Sequence, residues 1–180
     1  NKGLALARGE YIARMDADDV SLPKRLEKQI SYISSHPDVA VVGSAIQTIN
    51  DKGEVMNIII QKSQPKYKDF LKTNQMIHVT ALIRKGIIQN FGGYNELVIN
   101  SQDYAWWLQV SKVKKIYNIQ DVLYQLRIHD CGITFRDEKS IFYHILAVRL
   151  AESKITNNDI VTILNNGVKN FQDFFTKEEW

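Results

Sequence analysis

The sequence predicts an α/β protein built on a mixed, Rossmann-like sheet with flanking helices, followed by a C-terminal helical tail. Short apolar runs alternate with amphipathic segments up to about residue 133, and only helical patterns follow. The composition is that of an ordinary globular domain, with 44% hydrophobic and 24% charged residues. At 180 residues the chain is long enough to bury a sizeable core.

The first predicted elements are a helix end, a strand and a second helix. Residues 4–7 are typical of a last helical turn before Gly9, and residues 11–15 of a short buried strand. Pro23 favours the start of a helix, because a proline in the first turn leaves no backbone N–H unsatisfied. Helical spacing predicts an apolar face of Leu22, Leu26, Ile30 and Ile33, with Lys24, Arg25, Glu27 and Lys28 facing water.

A central strand is predicted over residues 39–42, extending through Ile49 to a turn at "NDKGE", with residues 55–60 as its partner. The later predicted elements are a short helix over 66–72, a strand over 77–83, a helix ending at Gly92 and Gly93, a helix over 103–113, extended segments over 116–119 and 122–129, and helices over 141–150, 160–168 and 171–175.

Charge and cysteine content limit the classes of protein to consider. A net charge of +3, with basic residues scattered apart from Lys112, Lys114 and Lys115, gives no reason to expect a nucleic-acid partner. A single cysteine, Cys131, cannot form an internal disulfide. No apolar run approaches the roughly 20 residues that cross a bilayer. The start at Asn1, in the middle of an element, predicts a piece of a longer protein.

Three aspartates within four positions, Asp16, Asp18 and Asp19, directly follow the first apolar strand. An extended backbone projects Asp16 and Asp18 to the same side, and close carboxylates repel unless a cation lies between them. Carboxylate oxygens suit Mg²⁺ or Mn²⁺, and ligands of α/β sheets bind at strand ends. The alternative is that Asp19 or Ser21 caps the following helix while the other aspartates are solvated.

The stretch "NKGLALARGEYIARMDADDVSLPKRLEKQ" resembles the middle of family 2 glycosyltransferases, bacterial GT-A fold enzymes that transfer a sugar from a nucleotide donor. The segments "HVTALIRKG", "FGGYNE", "SQDYAWWLQV" and "LYQLRIHD" resemble later parts of the same family. The resemblance covers about residues 1–133. It implies a partial GT-A domain over 1–133, truncated at its N-terminus and lacking the nucleotide-binding strands, with a helical extension over 134–180.

The resemblance implies a metal site and donor contacts. Mn²⁺ or Mg²⁺ is expected on Asp18 and Asp16, with His129 as a further ligand or diphosphate contact. Donor contacts are implied for Asp16, Asp18 and Arg127. Such a cation would neutralise the charge that develops on the nucleoside diphosphate as it leaves.

The resemblance also implies a base and an acceptor side. Asp103 occupies the position of the base, which must take a proton from the acceptor hydroxyl opposite the leaving group. An aspartate at a helix start is otherwise a cap. The acceptor side is implied for Gly93, Tyr94, Trp106 and Trp107. Adjacent tryptophans on a helix point about 100° apart, so one is expected in the core and the other to offer a stacking face.

Departures from the family pattern sharpen the expected activity. Gln102 stands where an acid is usual before Asp103, Gln109 where an arginine is frequent, and the Gln-x-x-Arg-Trp motif of processive synthases is absent. We therefore expect transfer of a single sugar, with inversion, from a UDP-sugar to a glycan or lipid-linked acceptor. The resemblance implies a cytoplasmic protein that can associate peripherally with the inner face of the membrane. Separately, uncovered sheet edges predict dimerisation.

Three alternatives were weighed against this prediction. A phosphatase of the haloacid dehalogenase type also places Asp-x-Asp after a strand, but its downstream Gly-Asp-x-x-x-Asp is missing. A non-catalytic binding fragment of the same fold would keep metal affinity without turnover. A metal-dependent nucleotidyltransferase shares the architecture, and the segments "SQDYAWWLQV" and "LRIHD" argue against it.

Overall fold

The computed structural model describes residues 1–129 and 138–165. The described residues form two compact units, one of residues 1–93 and 110–129, the other of residues 94–109 and 138–165. Strands and helices are mixed, so the α/β prediction is confirmed. The predicted domain boundary at residue 133 lies outside the described residues and stays a prediction.

The first unit contains a mixed sheet. Its described strands are β1 (Tyr11–Ala13), β2 (Val20–Ser21), β3 (Val39–Ile49), β4 (Val55–Ile59), β5 (Leu82–Arg84) and β6 (Lys115–Arg127). The strand order is β1-β5-β3-β6-β2, and β4 pairs with β3. β3 and β6 run parallel, whereas the other described pairs are antiparallel. The long parallel pair thus forms the centre of the sheet.

The helices of the first unit are α1 (Lys2–Leu6), α2 (Arg25–Ser35), α3 (Tyr67–Phe70) and α4 (Lys85–Phe91). A 3₁₀ turn over His78–Thr80 precedes β5, so the strand predicted over 77–83 is wrong in its first half. Thr80 explains the difference, because its hydroxyl donates to the Ile77 carbonyl (2.8 Å) and accepts from the Ser44 N–H (3.2 Å). These bonds favour a tight turn over an extended chain.

The β3–β6 pair is tightly packed at Gly43, which lies opposite Asn118 in the parallel register. The Asn118 amide donates to the carbonyls of Lys62 (2.8 Å) and Gln75 (2.9 Å), fixing the loop between β4 and β5. A Cβ at position 43 would collide with the Asn118 amide oxygen and the Met76 sulfur. A glycine is therefore required there for close approach.

The extended segments predicted over 116–119 and 122–129 are confirmed as far as Arg127, and they form one continuous strand, β6. Its pairing with β3 shifts between Ile119 and Val122, which face Ser44 and Ala45. A bulge at Gln120 and Asp121 absorbs the polar residues that suggested a break.

The apolar face predicted for α2 is confirmed at Ile33 and is wrong at Leu26 and Ile30, and Arg25 does not face water as predicted. The buried residues of this helix are Arg25, Gln29 and Ile33, whereas Leu26 is 45% and Ile30 41% exposed. Arg25 and Gln29 can be buried because the groups they donate to lie in the core beside the helix. Leu26 and Ile30 lie beside this buried stripe of the helix rather than within it, so both remain partly exposed.

β4 is an exposed edge of the sheet, and the prediction that it partners β3 is confirmed. Every residue of β4 is exposed, and Ile60 follows it with 57% of its surface accessible. The strand therefore presents apolar side chains on both of its faces.

The second unit is helical in its described part, with α5 (Gln102–Ser111) mostly within it and α6 (Glu138–Ala151) and α7 (Asn157–Asn165) following. These helices confirm the helices predicted over 103–113 as far as residue 111, over 141–150, and over 160–168 as far as residue 165; residues 166–168 and the helix predicted over 171–175 lie outside the described residues. Tyr104 stacks on His144 with ring centroids 3.9 Å apart. None of the helices in residues 1–129 and 138–165 is long and apolar enough to span a bilayer.

Candidate functional site

The aspartate-rich loop lies between β1 and β2 and reaches the C-terminal end of β6. β2 pairs antiparallel with β6, so that Val20 faces Gln125. This pairing brings residues 16–19 beside Arg127 and His129, which are more than 100 residues away in the sequence. The sheet register is therefore what assembles the candidate site.

Asp19 is a structural member of this loop. It is buried, and its carboxylate accepts hydrogen bonds from the Tyr124 hydroxyl and the Arg127 backbone N–H, each at 2.8 Å. Burial raises the pKa of Asp19 above its ordinary value, although both hydrogen bonds oppose the rise. The alternative that Asp19 or Ser21 caps α2 is wrong, because α2 begins after Lys24 without a side-chain cap.

Asp18, His129 and Asp51 form an exposed cluster. The His129 Nε2 atom lies 3.1 Å from an Asp18 carboxylate oxygen, and its Nδ1 atom lies 2.5 Å from an Asp51 carboxylate oxygen. Asp18 is 51% and His129 40% exposed, so a ligand can reach both. A histidine that donates Nδ1–H to a carboxylate leaves the Nε2 lone pair for a cation.

Asp51 was not predicted from the sequence. It lies in the turn between β3 and β4, and the pattern "NDKGE" indicates only a turn. Asn50 organises this turn, because its amide oxygen accepts from the backbone N–H groups of Lys52 (3.0 Å) and Glu54 (2.9 Å). The role of Asp51 beside His129 follows only from the β3–β6 register, in which Ile49 lies opposite Arg127.

Asp16 lies in the same loop but has a different partner. Its carboxylate is 2.5 Å from the Arg14 guanidinium, and its backbone N–H donates to the Tyr124 hydroxyl (3.2 Å). The prediction that Asp16 and Asp18 both hold the cation stays a prediction, and Asp16 would have to exchange Arg14 for the metal.

Arg127 joins the segments that carry the cluster. Its Nε donates to the Asp18 carbonyl (2.9 Å), and its Nη1 donates to the carbonyls of Asn50 (2.8 Å) and Asp51 (3.2 Å). The guanidinium thereby fixes the aspartate loop against the β3–β4 turn.

A buried polar network supports the loop from below. Arg25 lies 4.8 Å from the Tyr124 ring centroid, donates to the Arg14 carbonyl (2.7 Å) and to the Gln29 amide oxygen (3.1 Å). Gln29 in turn donates to the carbonyls of Val42 (2.9 Å) and Thr80 (2.7 Å). Burial lowers the pKa of Arg25 and raises that of Tyr124. Arg25 and Gln29 both lie within the stretch that resembles family 2 glycosyltransferases, but the helical spacing alone predicted that Arg25 faces water.

Asp18 and His129 together suit a divalent cation whose other ligands are phosphate oxygens and waters. Asp18 and His129 supply an oxygen and a nitrogen within 3.1 Å of each other. In the described part of the chain, no three His, Cys, Asp or Glu side chains converge as a complete ligand set. Mg²⁺ usually binds to one or two carboxylates, with phosphate oxygens and waters in the other positions.

Of the other residues predicted for the site, Gly93 belongs to the first unit, whereas Tyr94, Asp103, Trp106 and Trp107 belong to the second. Gly93 lies against Asn1, and a Cβ there would meet the Asn1 side chain. Asp103 lies in the first turn of α5 in the second unit. Trp106 and Trp107 are both buried, with ring centroids 5.1 Å apart, and the Tyr94 ring lies 6.1 Å from Trp106. Because Tyr94 is the partly accessible ring of the three, it is the one open to a ligand.

Comparison with known proteins supports the resemblance. The sequence profile described as glycosyl transferase family 2 matches residues 1–92. Among curated proteins, an uncharacterized glycosyltransferase of Methanocaldococcus jannaschii is 35% identical over 135 residues, covering 71% of this chain and 45% of the relative. The O-antigen biosynthesis glycosyltransferase WbnJ of Escherichia coli is 35% identical, with 72% and 52% covered. The amylovoran biosynthesis glycosyltransferase AmsE of Erwinia amylovora is 33% identical, with 71% and 48% covered.

Among solved structures, residues 1–349 of TarS from S. aureus match with a TM-score of 0.58 at 14% identity, covering 99% of this chain and 51% of that one. This likeness confirms the predicted fold, a Rossmann-like GT-A sheet with flanking helices. The chain spans about half the length of the curated relatives described above. On the matched profile, the chain belongs to glycosyl transferase family 2.

Proposed function

We propose that the protein of which this chain is a part transfers a single sugar from a nucleotide-sugar donor, with UDP as the nucleotide, to a glycan or lipid-linked acceptor. The observation that carries the proposal is the contact between Asp18 and His129, a carboxylate and an imidazole 3.1 Å apart at the end of β6. Family membership supports the reaction type.

The cation, Mn²⁺ or Mg²⁺, would supply positive charge to the diphosphate leaving group. Asp18 and His129 would hold it, with Asp16 as a further ligand or ribose contact. Asp51 would fix the orientation of the His129 ring through Nδ1. Arg127, already bound to the Asp18 carbonyl, would keep the loop in place and contact the diphosphate.

Asp103 is the proposed base. Its carboxylate takes the proton of the acceptor hydroxyl while that oxygen attacks the anomeric carbon and the bond to the diphosphate breaks. One displacement from the face opposite the leaving group inverts the anomeric configuration. On the acceptor side, Gly93 and Tyr94 would meet the acceptor. The expectation that one tryptophan offers a stacking face is wrong, because Trp106 and Trp107 are both buried, and Trp106 would instead support the Tyr94 ring.

Calorimetric titration tests the donor site. We would titrate Mn²⁺, with and without UDP, into the chain, into Asp18→Ala and into the control Asp121→Ala, whose exposed carboxylate pairs with Lys28. UDP binding that requires Mn²⁺, is lost in Asp18→Ala and is kept in Asp121→Ala would support the proposal. Equal UDP binding in both variants would contradict it.

A non-catalytic binding fragment of the same fold is the second candidate. It is favoured by the two-residue donor set, since an incomplete site can keep metal affinity without completing turnover. Sugar transfer by the full-length parent protein, lost in Asp103→Asn by a factor of about 10²–10⁴ with UDP binding unchanged, would decide for the enzyme.

The exposed apolar strand supports association between two copies of the chain through β4. The same surface is compatible with peripheral contact at the inner face of the membrane, where lipid-linked acceptors lie. Sedimentation of the chain and of Ile58→Lys over a range of concentrations tests the pairing of copies. Self-association that the lysine abolishes supports pairing, and a monomer at every concentration contradicts it.

A further inference from the structure

The first unit contains a pocket at the opposite end of the central strands β3 and β6 from Asp51 and His129. It encloses about 340 Å³ between the end of α2, the loop before α3 and the start of β6. Val39 and Ile116, the first buried residues of β3 and β6, form its floor. Its volume is at the lower end of the range of small-molecule sites, about 300–1,000 Å³.

Stacked aromatic rings form one wall. The Tyr32 ring lies between Tyr117, with centroids 3.9 Å apart, and His36, with centroids 4.1 Å apart. Both faces of Tyr32 are therefore covered, and its edge and hydroxyl are what it offers. Burial raises the pKa of Tyr32 to about 12, so that hydroxyl stays protonated at neutral pH.

The pocket carries a net positive charge. Lys66, Lys114 and Lys115 line it with a single carboxylate, Asp38. Lys115 and Asp38 form an ion pair at 2.6 Å, which leaves the charges of Lys66 and Lys114 in excess. Lys114 and Lys115 belong to the lysine run of the sequence, whereas Lys66 is distant from it in the chain, and the catalytic proposal uses none of the three.

A shallow depression of about 450 Å³ adjoins the pocket. It shares Tyr32 and Tyr117 with the pocket and continues along Ser31, Gln120 and Lys28. A ligand longer than a single ring can therefore pass from the enclosed pocket over the two tyrosines into the open groove.

We propose that this pocket binds an acidic saccharide unit of a glycan. The lysines would pair with its carboxylate, and the tyrosine hydroxyls and Gln120 would bond to sugar hydroxyls. Because both faces of Tyr32 are covered, this ring offers its edge rather than a stacking face, and hydrogen bonding at a ring edge suits a polyhydroxylated ligand. The choice of a saccharide rests on the proposed function, whereas the anion preference rests on the lysines.

The test is a titration followed by two-dimensional ¹H–¹⁵N NMR of the whole chain. The probes are cellobiouronic acid, neutral cellobiose and inorganic phosphate. The variants are Lys66→Glu/Lys114→Glu and, as a matched control on α3, Lys68→Glu, which removes an exposed lysine that does not line the pocket. All three positions are exposed, so the variants are expected to fold.

We expect the acidic disaccharide to shift the amides of Tyr32 and Tyr117, with an affinity about tenfold or more below normal in the double variant and unchanged in Lys68→Glu. Equal binding of cellobiose would overturn the role of charge. Binding of phosphate alone would overturn the saccharide assignment, and no shift at these amides would overturn the site. Because the readout needs neither Mn²⁺ nor UDP, the donor-site proposal can fail while this one holds, and the reverse.

Discussion

Asp18 and Asp19 are neighbours in the sequence and differ in almost every physical respect. Asp19 is buried and accepts two protein hydrogen bonds, and its carboxylate supports the end of β6. Asp18 is half exposed and meets His129, which also contacts the exposed Asp51. Two adjacent residues of one acidic motif thus differ in role: the Asp19 carboxylate is structural, and the Asp18 carboxylate is accessible to a ligand.

The Tyr124 hydroxyl connects the two regions. It donates to the Asp19 carboxylate and accepts from the Asp16 backbone N–H, so these two hydrogen bonds connect the exposed loop to the buried network. Substitutions in the buried network should therefore act mainly on stability, and substitutions in the exposed cluster mainly on ligand affinity.

Arg25→Ala should cause the largest loss of stability. The change empties a buried site and leaves the Arg14 carbonyl and the Gln29 amide oxygen without their donor, for a loss of roughly 3–5 kcal/mol in the free energy of unfolding. Urea unfolding measures it. Lys28→Ala, on the same helix but in an exposed ion pair with Asp121, should cost less than about 1 kcal/mol. Equal losses in the two variants would refute the structural role of Arg25.

Asp51→Asn should weaken Mn²⁺ binding by a factor of about 10–100 with little change in stability. The carboxylate that orients the His129 ring is replaced by a weaker acceptor, and supporting groups of metal ligands commonly contribute that much. Calorimetry of the variant gives the affinity. Glu54→Gln, the same chemical change in the same turn, should bind Mn²⁺ normally; a comparable loss there would mean that the turn and not the carboxylate matters.

Tyr124→Phe should lower the free energy of unfolding by about 1–2 kcal/mol, because Asp19 loses a donor and the Asp16 N–H loses its acceptor while the ring packing stays. Chemical unfolding measures the loss. Tyr117→Phe is the control, since its ring belongs to the stack with Tyr32 at the other end of β6. Mn²⁺ binding should weaken less than in Asp51→Asn, and the opposite order would show that the two regions are not separable.

The contributions of Asp19 and Asp69 to stability should respond to pH with opposite signs, because folding raises the pKa of Asp19 and lowers that of Asp69. Burial raises the folded-state pKa of Asp19, so the folded protein holds its proton more tightly than the unfolded chain. Its contribution to stability therefore falls as the pH rises from the ordinary value, about 3.9, through the raised one. Unfolding measured from pH 3.5 to 7 should show Asp19→Asn gaining stability relative to the native chain with rising pH; a parallel pH dependence would contradict this.

Asp69 should show the smaller, reverse effect. The Lys62 ammonium and the Lys66 backbone N–H, each 2.8 Å from its carboxylate, hold the pKa of Asp69 below its ordinary value. Its stabilisation is present above the unfolded-state value and is lost as the pH falls through the folded one. Asp69→Asn should therefore approach the native chain in stability at low pH, and a gap that widens on acidification would be evidence against the assigned bonds.

Periodicity predicted most of the elements, because β3, β4 and the helices of the second unit have strong apolar patterns. It did not predict the burial of Arg25 and Gln29 on α2. Gln29 donates to carbonyls of β3 and of the turn before β5, and Arg25 donates to the Arg14 carbonyl and to the Gln29 amide oxygen. The family resemblance pointed to Asp18, Arg127 and His129, which the fold brings together. Asp51 could not be found in either way, because only the register of β3 against β6 places it beside His129.

The distance along the chain between the members of the site has a consequence for synthesis. Asp18 and His129 are 111 residues apart, and they meet only through the pairing of β6 with β2 and β3. A ribosome adding about 5–20 residues per second needs roughly 5–20 s to make the second after the first. During that time β2, which follows the aspartate loop, lacks its partner β6, so the nascent chain carries Asp18 before His129 is there to contact it.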